Sequence, residues 1–139
     1  MPRKIFVDSS AWIAFAAEKE PRHIVVVKTV KRCLEGGDFL FTSNDVVDET
    51  VTRLLYTVGF RKASLFLKYF LENIKKNTLR QLWTDEQVQM EAFGLVEKFA
   101  EHKISLTDAT TVVLMKRFNI GTLITLDSDF VKIGIPVLP

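Results

Sequence analysis

Cysteine is nearly absent from this chain of 139 residues: Cys33 stands alone, beside two histidines. One cysteine excludes an internal disulfide and fits a reducing compartment. So few Cys and His side chains also exclude a zinc site of the Cys/His kind. No apolar run approaches the roughly 20 residues of a membrane span. The opening MPRKIFVD lacks the apolar core of a signal peptide, so the expected location is cytoplasmic. Charge of one sign is missing too: the formal net charge is +2, which neither demands nor forbids a nucleic-acid partner. There is no internal repeat, no low-complexity tract and no Gly/Pro-rich linker. A G-x-G-x-x-G fingerprint is also absent, which argues against a Rossmann nucleotide binder.

What is present is apolar and regularly punctuated. Apolar residues make up 47% of the chain, enough for one domain over residues 1–139 with a core of its own. Strands are expected at Lys4–Asp8, Asp38–Thr42, Thr78–Trp83 and Thr122–Leu126, with Ile133–Leu138 as an edge strand because of Pro136. Helices are expected at Ser9–Ala17, Arg22–Glu35, Asn44–Val58, Arg61–Lys76 and Ser105–Phe118. A further helix, opened by a capping box of Thr84 and Gln87, is expected to run to about His102. In the helix from Asn44, the apolar stripe reads Val47, Val51, Leu54, Leu55 and Val58. Strands alternating with helices imply crossover connections. The expected fold is α/β, a three-layer sandwich with a mostly parallel sheet of four to five short strands flanked by helices.

Four acids sit where strands end or helices begin: Asp8, Glu49, Asp108 and Asp127, with Asp129 close behind. Each has an ordinary structural role available. Asp8 fits a helix N-cap, and Glu49 fits an i,i+4 pair with Arg53. Asp108 fits a capping box with Ser105, and Asp127 fits an Asx-turn. Their joint placement points further, because parallel sheets carry their ligand sites outside the carboxyl ends of the strands. Carboxylates gathered there without a cationic partner suit Mg²⁺ or Mn²⁺, which take oxygen ligands and leave room for a phosphate. Phosphodiester hydrolysis by such a site needs no His, Ser or Cys nucleophile.

The segments IFVDSSAWIAF, TSNDVVDETVTRLL, ISLTDATTVVLMKRFNI and TLITLDSDFVKIGIPVLP, in that order and spacing, resemble the PIN domain family. The likeness is to the VapC-like toxins of prokaryotic toxin–antitoxin pairs, and it covers nearly the whole chain. It implies a metal-dependent ribonuclease selective for single-stranded RNA, usually a homodimer and often neutralised by a small antitoxin. Position by position, Asp8, Glu49 and Asp108 match the family's three central acids. Asp127 matches its more variable fourth, with Asp129 as a possible substitute. Ser9 and Thr125 match small hydroxyl positions near the metal, and Asp48 is expected to point away. Arg53 is a candidate for substrate phosphate, as are Lys28, Lys31, Arg32, Lys116 and Arg117, each of which also fits a solvated face. Trp12, Phe15 and Phe66 are candidates for base stacking or for core. The alternatives are a nuclease for RNA processing or flapped DNA, and a non-catalytic PIN module that binds RNA or a protein. A phosphate-accepting receiver domain would want paired acids in its first loop, which this chain lacks.

Overall fold

Ile5, Phe6 and Val7 point alternately to the two faces of a strand, yet none has any exposed surface. Both faces of that strand, β1 (Lys4–Val7), are therefore covered, as a central strand of an α/β sandwich requires. The computed structural model describes residues 2–139. In it β1 pairs in parallel with β2 (Phe39–Ser43) on one side and β4 (Thr122–Ile124) on the other. Phe6 lies opposite both Phe41 and Leu123. Beyond them β3 (Leu79–Leu82) and β5 (Val137–Leu138) form the edges, giving the order β3-β2-β1-β4-β5, every pair parallel. Among the described residues, seven α-helices flank this sheet.

Helix α1 (Ser9–Ala16) packs against α2 (His23–Glu35), α3 (Asn44–Thr57) and α4 (Phe60–Lys75), and α3 also packs against α4. Helix α5 (Glu86–Lys98) packs with α6 (Leu106–Arg117), and a short α7 (Asp129–Lys132) follows β4. Residues Ala109–Met115 of α6 are all buried, so this helix is enclosed on every side instead of amphipathic. Trp12 is wholly buried, and its indole N–H donates to Thr42 Oγ1 at 3.2 Å. Thr42 in turn donates to the Val7 carbonyl at 3.0 Å, which ties α1 to β1 and β2. Gly59, at φ 101°, takes the left-handed turn between α3 and α4 that other residues resist.

Four sequence expectations need correction. The edge strand expected over Ile133–Leu138 is confined to Val137–Leu138, because Ile133 still closes the preceding helix. The buried stripe of α3 is Val46, Thr50 and Leu54, while Leu55 and Val58 are exposed. Thr50 escaped notice as a core position because it is polar, but its hydroxyl is satisfied by the Val46 carbonyl at 2.7 Å. Helix α5 is capped by Asp85, whose side chain accepts from Val88 N–H at 2.9 Å, so Thr84 and Gln87 form no capping box. That helix also stops at Lys98, and a 3₁₀ turn over Ala100–His102 replaces its expected last turn.

Candidate active site

From β1 the chain builds outward through β2 and β3, then returns to build the other side through β4 and β5. The connection thus reverses between β1 and β4, and parallel sheets open a crevice beyond the carboxyl ends of such a strand pair. Asp8 directly follows β1 there, with its N–H bonded to the Ile124 carbonyl at 3.0 Å. Asp127 follows β4, Glu49 lies in the second turn of α3 after β2, and Asp108 lies in the first turn of α6. All four, with Asp129, Ser9 and Arg53, line one cleft of about 260 Å³.

Asp8 occupies the N-cap position of α1 but makes no side-chain cap bond. Its Oδ2 instead accepts from Thr125 Oγ1 at 2.9 Å and from Ser10 Oγ at 3.2 Å. Thr125 Oγ1 also accepts from Asp127 N–H, and Ser10 Oγ from Leu126 N–H, both at 3.0 Å. Two hydroxyls thereby bind the first acid to the loop that carries the fourth. Asp8 is only 3% exposed, and burial pushes its carboxyl above the ordinary value. The Glu49 charge pushes the same way, while the Thr125 hydroxyl pulls back.

The other acids do hold their ordinary structural bonds. Glu49 accepts from Ser9 Oγ and stands 3.9 Å from Arg53, one turn along α3. Asp108 completes a capping box: its N–H donates to Ser105 Oγ at 3.0 Å, and its Oδ2 accepts from Ser105 N–H at 3.2 Å. Asp127 Oδ1 accepts from Asp129 N–H at 2.9 Å, which is an Asx-turn. Asp129 itself faces Lys132 at 3.5 Å. A cap alone does not account for Asp108, whose carboxyl is raised to about 6 by burial first and then by the charges of Asp8 and Asp127. The acids share the cleft, but among the described residues no three Asp, Glu, His or Cys side chains close into a metal-ligand group.

The cleft leaves several sequence candidates outside. Asp48 is exposed and does not line it, as expected. Lys28, Lys31 and Arg32 are exposed on α2, away from the cleft lining. Lys116 lies elsewhere on α6, and Arg117 is engaged with Glu91 at 3.0 Å and Asp85 at 4.0 Å. Burial removes Trp12 and Phe66 as base-stacking surfaces, and half-buried Phe15 packs edge-on against Trp12. Two lining residues escaped the sequence reading. Ser10 had a signal in its position two residues past Asp8, whereas Lys103 had none.

The chain matches the PIN domain over residues 5–136. It is 30% identical over 126 residues to a VapC ribonuclease of Archaeoglobus fulgidus, covering 89% of this chain and 77% of that protein. It is 28% identical over 131 residues to the 23S rRNA-specific endonuclease VapC20 of Mycobacterium tuberculosis, covering 94% of each. The crystal structure of VapC20, described as a sarcin-ricin loop cleaving toxin, superposes with a TM-score of 0.79 at 26% identity, over 94% of this chain and 95% of that one. Sheet order, acid placement and these likenesses agree, and the chain belongs to the PIN domain family as a VapC-like member.

Proposed function

We propose that this protein is a metal-dependent endoribonuclease that hydrolyses phosphodiester bonds of single-stranded RNA, acting as the toxin of a type II toxin–antitoxin pair. The observation that carries the reading is the buried Asp8 carboxylate, diverted from its helix cap and held by Thr125 in the crevice that Asp108 and Asp127 share. The donor set is all oxygen, and the charges acting on Asp108 are those of two further acids. That chemistry fits a hard divalent ion, Mg²⁺ or Mn²⁺. Asp8, Glu49, Asp108 and Asp127 are the residues that would hold it, with Asp129 in reserve. When bound, the ion supplies Lewis-acid stabilisation of phosphate charge and makes water a better nucleophile.

The chain's own groups set the geometry. Thr125 and Ser10 fix the Asp8 carboxylate, Ser9 orients Glu49, and Arg53 reaches from the Glu49 face toward a substrate phosphate. The names of the VapC relatives support RNA as substrate, and ribosomal RNA is the first to try. A small antitoxin partner, a homodimer and a cytoplasmic location are what the resemblance to VapC-like toxins implies, and they form part of the proposal. No helix of the described residues is long and apolar enough to cross a membrane.

The test is cleavage of a defined single-stranded RNA by purified protein, with Mn²⁺ or Mg²⁺ and then with EDTA. Cleavage that persists unchanged in EDTA would remove the metal from the proposal. No cleavage of ribosomal or unstructured RNA under either ion would remove the ribonuclease.

A further inference from the structure

We propose that Lys103 holds a backbone phosphate of the RNA at the rim of the acid cleft, a role that deepens the nuclease reading and rests on it. Five carboxylates and two cations line this cleft. The cations differ in how committed they are. Arg53 leans toward Glu49 at 3.9 Å. Lys103 makes no ion pair and no side-chain hydrogen bond among the described residues, although five acids line the same cleft.

Its backbone explains how it gets there. Lys103 ends the 3₁₀ turn in the left-handed region, at φ 52° and ψ 40°, with its N–H bonded to the Ala100 carbonyl at 3.3 Å. Buried Ile104 and the capping residue Ser105 follow at once, so the chain is anchored on both sides of it. Glycine and asparagine are the residues at home in that conformation. Lys103 is exposed and lines the same cleft as five acids, which would otherwise repel an incoming phosphodiester. An ammonium is a compact charge with three donors on a flexible stem, suited to a phosphate whose exact position varies along a strand. Contacts of this kind position nucleic acid without reading its sequence.

The test uses an Asp8→Asn parent, which should bind without cutting, and a labelled single-stranded RNA oligonucleotide titrated across a range of salt concentrations. Lys103→Gly suits the left-handed backbone, so its melting temperature should equal or exceed the parent's. Lys103→Asn is a second neutral variant suited to the same backbone. Both should bind RNA several-fold more weakly at low salt. The slope of log K against log salt should become shallower by about 0.7, the value of one phosphate contact on a single strand. Lys103→Arg should restore most of the affinity and the slope. With Asp8 intact and Mn²⁺ present, the neutral variants should raise KM and leave kcat nearly unchanged. Neutral variants that match the parent in affinity and slope overturn the role of Lys103 and leave the nuclease reading standing. A parent that binds no RNA at all overturns both.

Discussion

Asp8 illustrates how one side chain can be drawn away from its ordinary structural role. A carboxylate 3% exposed, beside Ile5, Phe6 and Val7, is costly unless hydrogen-bonded. Its partners are hydroxyls, which hold it without neutralising it. Asp8→Asn keeps the shape and most of the bonding, so RNA cleavage should be lost while the far-UV circular dichroism stays the same. Equal cleavage by the variant and the wild type would reveal a contaminating ribonuclease. Asp108 allows a second prediction with a definite sign. Its folded-state pKa, about 6, lies above the ordinary 3.8, so between those values folding takes up protons. The metal-free protein therefore loses stability through this carboxyl as pH rises across that window. Asp108→Asn removes the charge but keeps an acceptor for the Ser105 N–H. In EDTA at pH 7 it should melt above the wild type, and the gap should close near pH 4. Ser105→Ala, which removes the cap itself, should cost about 0.5–2 kcal/mol. If Asp108→Asn melts lower than the wild type at pH 7, Asp108 is a cap and nothing more.

Helix starts are decided by single hydrogen bonds, and α5 provides a direct comparison. Asp85→Ala should destabilise the protein by about 0.5–2 kcal/mol, the ordinary cost of a lost N-cap. Gln87→Ala should leave denaturant unfolding almost unchanged, because no cap bond involves it. The reverse ranking would restore Thr84 as the cap. The same locality explains what was legible beforehand. Strands β1 to β4 and the bodies of α2 and α4 follow from short-range pattern, and the sequence placed each within a residue or two. The stripe of α3 did not, since Thr50 looks polar until its hydroxyl is seen folded back on Val46. The cap role of Asp8 failed for a longer-range reason: the group that claims its carboxylate, Thr125, lies 117 residues away in the chain. Asp127 and Asp108 kept the local bonds their spacing suggested, so the Asx-turn and the capping box were right and incomplete. Lys103 was invisible because nothing in the residue type signals a left-handed backbone.

The alternation of strands and helices was enough to expect the acids at one edge of a parallel sheet, because that outcome depends on chain order and not on side-chain detail. Assembly depends on the outer surface, where apolar residues remain. Helix α4 buries Ala63 and Phe66, while Phe60, Leu67 and Leu71 are exposed. Positions seven and then four residues apart fall on one side of a helix, so these three form a single outward ridge. Phe60 is 76% exposed, a poor arrangement for a lone protein in water. A stable pair of protomers buries about 800 Å² on each, roughly a tenth of the 8136 Å² surface of this chain. We therefore expect a homodimer with the α4 ridge in its interface. Light scattering at micromolar concentration should give about twice the 15.9 kDa chain mass. The double variant Phe60→Asp, Leu67→Asp should give the single-chain mass while keeping its melting transition, since neither side chain belongs to the buried core. A monomeric wild type would remove the dimer. A double variant that remains dimeric would move the interface elsewhere, with the exposed Ile24 and Val25 of α2 next in line.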